Sequence, residues 1–164
     1  SIEWLQADMR MLEEVPTTDA VTLFSDSLCY LTDFEDVVSV FEAVYDHLEE
    51  GGIFIFDVHS LYQMQEVFPG YQYHFVEDDF AFLWQSYELD EPGSVEHVID
   101  MYIKQEEGNL YEHFQEVHEE QTFPIEMYES ALEMVGFTNI KVKADFGRNE
   151  VQETSPRWFF QAVK

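Results

Sequence analysis

A chain of 164 residues with 46% hydrophobic and 16% aromatic residues can build one domain with a real core, which excludes intrinsic disorder. Its 35 Asp and Glu against 7 Lys and Arg give a net charge of −28, and Arg10 is the sole Lys or Arg before Lys104; such a surface repels phosphate backbones and anionic lipid, so neither nucleic acid nor membrane is an expected partner. A single cysteine, Cys29, rules out an intrachain disulfide framework, and neither a membrane-length apolar run nor a leader pattern is present, so a reducing, cytoplasmic setting is expected.

Residues 2–6, "IEWLQ", predict a short strand that delivers Asp8 and Met9 at its carboxyl end. The next apolar run, Ala20 to Phe24, lacks a clean polar alternation and predicts a central strand covered on both faces. It runs straight into Ser25-Asp26-Ser27. A helix follows, opened by a Thr32/Glu35 capping-box pattern, carried by Phe34, Val37, Val38, Phe41, Val44, Tyr45 and Leu48, and expected to continue to Gly51-Gly52. Strand 53–58, "IFIFDV", comes next and ends in Asp57, His59 and Ser60. A strand, helix, strand order with continuous apolar strands predicts a right-handed crossover in a parallel sheet, whose ligands gather at the carboxyl ends of the strands.

The middle of the chain changes character. Segments 72–77, 81–89, 95–104 and 111–122 have mixed faces and are joined by turn formers such as "DEPGS" (90–94) and "EEGN" (106–109), which predicts antiparallel strands. The α/β pattern then resumes with a helix from Pro124 to Gly136 that presents Ile125, Tyr128, Leu132 and Val135 on one face, and with strands at 139–146 and 157–164. None of the seven glycines falls in a G-x-G arrangement, so no dinucleotide-type phosphate loop is expected.

Three strand ends carry the candidate chemistry. Asp8 can accept a hydrogen bond from an exocyclic amine while the neighbouring backbone N–H donates to a ring nitrogen, the pair of roles an adenine edge requires; it can equally cap the turn into "MRMLEE". Ser25, Asp26 and Ser27 can set donors and acceptors at the sheet edge beside an apolar wall from Leu28 and Tyr30, or form an ordinary polar turn. Cys29 reads as a small buried hydrophobe. His59 is the candidate for acid–base or orienting work. The remaining histidines show no metal-ligand spacing, and His113 and His118, five apart in an extended segment, fall on opposite faces, so no metal is expected.

Taken together, "WLQADMRML" (4–12), "DAVTLFSDSLCYL" (19–31), "VFEAVYDHLEEGGIFIFDVHS" (40–60) and "EMYESALEMVGFTNIKVKADF" (126–146) resemble a class I S-adenosylmethionine-dependent methyltransferase, most closely the YqeM-like small bacterial methyltransferases. The resemblance covers nearly the whole chain but only the later part of that family's domain, without the first strand, its glycine-rich loop and the following strand. It implies an α/β fold: a partial Rossmann-like sheet, mostly parallel with an antiparallel last strand. Residues 1–164 would form the major, carboxyl-terminal part of a single methyltransferase domain, and 72–122 an inserted antiparallel lid or substrate-side region. It implies S-adenosylmethionine as cofactor, held by Asp8, Met9, Phe24, Ser25, Asp26, Ser27 and Leu28, with Tyr30, His59 and Ser60 on the substrate side and His59 the catalytic candidate. The expected activity is methyl transfer to a small molecule, weak or absent where part of the cofactor site is lacking. The rival expectation is an inactive methyltransferase-like module that pairs as a homodimer or with the family's amino-terminal segment.

Overall fold

A computed structural model describes residues 2–12, 15–106 and 110–164. Two four-stranded sheets organise it. The first has the order β1-β2-β8-β7, from β1 (Thr18–Leu23), β2 (Leu48–His59), β7 (Thr138–Lys143) and β8 (Arg157–Val163). β1 pairs parallel to β2, while β8 is antiparallel to both β2 and β7, so β1, β2 and β7 run one way and β8 opposes them. The second sheet is a consecutive meander, β3 (Gln72–Val76), β4 (Phe80–Glu88), β5 (Ser94–Lys104) and β6 (Tyr111–Gln121), every pair antiparallel. The Rossmann-like sheet with an inserted antiparallel sheet is therefore the architecture the sequence implied; residues 107–109 of the expected 106–109 turn lie outside the described residues.

Two helices cover one face of the first sheet. α1 (Phe34–His47) buries Val37, Val40, Phe41 and Val44, and α2 (Ile125–Val135) buries Tyr128, Ala131 and Leu132. Against them the sheet presents Phe54, Phe56, Val58, Phe160 and Ala162, all fully buried. The Phe56 and Phe160 rings lie parallel with centroids 4.7 Å apart. α1 is capped by Asp33, whose carboxylate accepts from the Glu35 N–H at 3.0 Å, one residue after the expected Thr32. It also ends earlier than expected, at His47. Gly51, with φ +78°, serves a register shift between β1 and the start of β2 rather than a helix terminus. α2 starts after Pro124 and stops at Gly136, as its sequence predicts.

Two further expectations are corrected. Residues 2–6 form no strand, and Ile2 and Trp4 are 80% and 88% exposed. In a doubly wound order 3-2-1-4 the strand preceding the crossover is separated from strand 4 by two others, and no described residue fills those two positions, so 2–6 has no ladder partner. β1 is not covered on both faces either. Both helices share one side, and β1 alternates between half-buried and exposed positions. On the other side Phe24, Ile55, Lys141, Phe146, Phe159 and Gln161 border an open hollow of about 380 Å³.

The insert joins the first sheet at its base. A π-helical turn over Gln63–Val67 leads from β2 toward β3, burying Met64 and Phe68 against Val95 and Trp84. At the far end of β6 the Thr122 hydroxyl donates to the His59 carbonyl at 2.7 Å and lies 3.3 Å from the Tyr128 hydroxyl of α2. The strand ends of both sheets thus meet beside His59. No helix among the described residues is long and apolar enough to cross a membrane.

A candidate active site at the junction of the two sheets

The polar run after β1 is explained by its partner on β2. Ser25 and Asp26 adopt left-handed φ values of +60° and +51°, which turn their backbone N–H groups toward the Asp57 carboxylate at 2.9 and 3.3 Å. Ser27 closes the turn by donating from its hydroxyl to the Phe24 carbonyl at 2.6 Å. Asp57 is only 2% exposed and also receives the Arg157 guanidinium from the start of β8. A second guanidinium nitrogen of Arg157 reaches Asp26 Oδ1 at 2.6 Å. One arginine therefore clamps two carboxylates that arrive from adjacent parallel strands.

The other oxygen of Asp26 faces the insert. Asp26 Oδ2 lies 3.4 Å from His59 Nε2, which lies 3.7 Å from Glu120 Oε2 at the end of β6. Glu120 Oε2 is buried and has no hydrogen-bond partner. Behind it stands His97, whose Nδ1 accepts from the Trp84 indole N–H at 3.1 Å and lies 2.7 Å from the Ser86 hydroxyl. An indole nitrogen can only donate, so Nδ1 holds the lone pair and the neutral ring carries its proton on Nε2, 4.0 Å from Glu120 Oε1. Phe68 is wedged between the two imidazoles, its ring 4.9 Å from His59 and 4.7 Å from His97, edge to face.

Burial and charge set the ionisation. Burial would push Asp26 up, but contact with His59 and the charge of Arg157 outweigh it and hold the carboxyl below its usual value. At Glu120 the balance reverses: burial, with the nearby Asp26 charge, outweighs the opposing charge of Arg157 and raises it to about 7. His97 is lowered to about 4, first by burial and then by the neighbouring histidines, so it stays neutral at ordinary pH. Burial raises the Cys29 thiol, which is wholly enclosed in the core and unfit as a nucleophile.

The structure brings Phe24, Ser25, Asp26 and His59 to one edge. Phe24, Ser25, Asp26, Asp57, Phe146, Arg157 and Phe159 line a cavity of about 430 Å³ there. Leu28 is in the core and Ser60 is buried, its hydroxyl accepting from the Gln63 N–H at 3.0 Å. Tyr30 is exposed beside His118, ring centroids 5.7 Å apart. Asp8 stands apart from this cluster. Its carboxylate is forked by Arg10 at 2.7 and 3.0 Å, and Arg10 also reaches Asp36 in the first turn of α1 at 2.8 Å. The hydrogen bonds from the Arg10 side chain and backbone lower Asp8 to about 2. Met9 packs against the core cluster close by.

Sequence reading missed Arg157, Glu120 and His97. Each is distant in the chain from the turn it serves, and in the sequence Glu120 and Arg157 stand out only as charged residues at the end of β6 and the start of β8, while His97 lies within β5.

No family model matches the chain. At the level of sequence it is 38% identical to YqeM of Bacillus subtilis strain 168 and 37% identical to a protein of Geobacillus sp. strain WCH70, both named "putative methyltransferase". These alignments span 99% and 100% of this chain but 66% of each relative, so the chain spans just under two thirds of their length. Among solved structures, a S-adenosylmethionine-dependent methyltransferase of Clostridium acetobutylicum matches with a TM-score of 0.83 at 27% identity, over 96% of this chain and 62% of that one. The sugar N-methyltransferase KedS8 of Streptoalloteichus shares the fold, with a TM-score of 0.75 at 23% identity over 97% of this chain and 61% of its own.

Proposed function

Since this chain belongs to the class I S-adenosylmethionine-dependent methyltransferases related to YqeM, we propose that it contributes the acceptor side and part of the donor side of a site for methyl transfer to a small molecule. The observation that carries this reading is the convergence of the Phe24–Ser27 turn, Asp57, His59 and Arg157 on the carboxyl edge of two parallel strands, beside an open cavity. S-adenosylmethionine would supply an electrophilic methyl group on a sulfonium, and the residues present fit it in two respects. Asp26 keeps a negative charge next to the cavity, favourable to a cation, and Phe24, Phe146 and Phe159 give it apolar walls.

In this reading Phe24, Ser25, Asp26 and Ser27 follow the methionine portion, with Leu28 holding the turn to the core, and Asp8 and Met9 take the adenine edge. Asp8 is already ionised by Arg10, so its second role would share the carboxylate between the guanidinium and an exocyclic amine. Tyr30, His59 and Ser60 border the acceptor. In-line methyl transfer asks chiefly for alignment and exclusion of water, which a rigid Arg157 clamp and the insert closing over His59 provide. The proposed partners are a small-molecule acceptor, in the cytoplasm, and a second copy or the relatives' additional segment on the open sheet face. The strong negative charge argues against nucleic acid.

Calorimetric titration with S-adenosylmethionine, which carries the sulfonium charge that Asp26 would favour, tests this. A form carrying the full length of the relatives is expected to bind, and Asp26→Ala to weaken that binding by about tenfold or more. The 164-residue chain alone is expected to bind weakly. No heat from the full-length form at millimolar ligand overturns the reading.

A further inference from the structure

We propose that Asp26 Oδ2, His59 Nε2 and Glu120 Oε2 form a binding site for one divalent transition-metal ion, zinc(II) or manganese(II), that ties the inserted sheet to the Rossmann-like sheet. The three side chains come from three elements, the turn after β1, the end of β2 and the end of β6, and their ligand atoms lie within 4.8 Å of one another. No short sequence motif would show them. This inference rests on geometry and charge and stands whether or not methyl transfer is the activity.

Three observations carry it. Glu120 is 4% exposed, and its Oε2 points into the cluster without any hydrogen-bond partner, although an unpaired buried carboxylate oxygen is costly. The spacing is that of metal ligands. Nitrogen and oxygen donors at about 2.1 Å from an ion stand about 3.0 Å apart at right angles and about 3.4 Å apart in a tetrahedron. The two separations at His59 Nε2, to Asp26 and to Glu120, are 3.4 and 3.7 Å, and all three atoms lie within 4.8 Å of one another. An ammonium bonded to the same three atoms at about 2.8 Å would spread them to about 4.6 Å. At the two His59 contacts the shorter separations favour a metal over the amine of an acceptor. Charge points the same way: the one Arg157 pairs with Asp26 and Asp57, and Glu120 beside them is within salt-bridge reach only of imidazoles, so a divalent cation would offset the excess of carboxylates in the cluster.

One imidazole with two carboxylates suits zinc or manganese better than magnesium, which prefers oxygen donors alone. Three protein ligands leave at least one position of a four-coordinate ion for water or for an acceptor oxygen. His97, its Nε2–H directed at Glu120 Oε1, would steady the carboxylate from behind.

The test uses the 164-residue chain after chelation and dialysis. Titration with zinc(II) or manganese(II) is expected to give one tight equivalent that survives gel filtration and metal analysis, and to raise the thermal midpoint. Glu120→Gln and His59→Ala should each weaken it by about tenfold or more, while Asp78→Asn with Asp79→Asn, in an exposed acidic loop, should leave it unchanged. Should either site variant fail to fold, imidazole nitrogen NMR of the wild type during zinc titration decides: a shift of His59 at one equivalent supports the site. Shifts confined to His113 and His118, which pair with exposed acids, would overturn it. So would binding that is absent, or that scales with the surface charge and ignores Glu120→Gln.

Discussion

The two sheets have the same number of strands and very different interiors. In β1-β2-β8-β7 one face is sealed by α1 and α2 over a continuous cluster of aromatic rings, with Phe41, Phe54, Phe56, Tyr128 and Phe160 in mutual contact. In β3-β4-β5-β6 the buried residues sit at one end, where Ser86, Ser94, Val95, His97, Glu120 and Gln121 meet the first sheet, while β3 is exposed along its whole length. Register explains the pattern. Tyr73 and Phe75 lie opposite Trp84 and Phe82, which lie opposite Ile99 and Met101, so one face of the insert is an apolar stripe that turns polar at His97, His118 and Glu120 as it enters the junction. The first sheet is held by a core; the insert is held by its ladder and anchored by a polar base.

The sharpest way to break that contrast is to cut equivalent rings in the two regions. Phe56→Ala removes a fully buried ring stacked on Phe160 and should cost about 3–5 kcal/mol in chemical denaturation. Phe75→Ala, on the exposed strand β3, should change stability by about 0.5 kcal/mol or less. Equal losses at the two positions would mean that the insert has a core of its own.

The junction should fall between these extremes. Asp57→Ala takes the shared acceptor from Ser25, Asp26 and Arg157 and leaves part of a guanidinium uncompensated, a loss of about 3 kcal/mol. His97→Leu keeps the volume but strands the Trp84 N–H and the Ser86 hydroxyl, which should cost about 1–3 kcal/mol. Native-state hydrogen exchange separates local from global loss. His97→Leu should speed exchange in β4 and β5 more than in β2 and β8, because the insert opens as a unit below the global unfolding energy. Uniform acceleration in both sheets would contradict the division.

The same contrast explains what was legible in the sequence. The four insert strands were readable to within a residue or so because turn formers bracket them, and the α1 and α2 faces were readable because Phe41 and Leu132 recur at helical spacing. Residues 2–6 read as a strand and are not one, since strand propensity without a ladder partner decides nothing. The Ser25–Ser27 turn was recognisable as special, yet its cause was not, because Asp57 and Arg157 reach it from other strands. Glu120 was the least legible of all. Among so many acids nothing in composition separates the one that is buried and unpaired from those that face water.

The smallest effect concerns Asp8, which belongs to neither sheet and is tied to α1 only through Arg10 and Asp36. Its carboxyl, lowered from 3.8 to about 2 by Arg10, favours the folded state above the unfolded value and loses that contribution as pH falls from near 4 through about 2. Because the pair is exposed, the effect on stability should be too slight to move a denaturation curve, and carboxyl-carbon NMR is the measurement to use. Its midpoint is expected near 2 in the wild type and close to 3.8 in Arg10→Gln, with the resonances of the Ser25–Ser27 turn unmoved. A response of that turn to the titration of Asp8 would instead make the amino-terminal turn part of the junction, and the adenine and methionine sides of the proposed site one coupled unit.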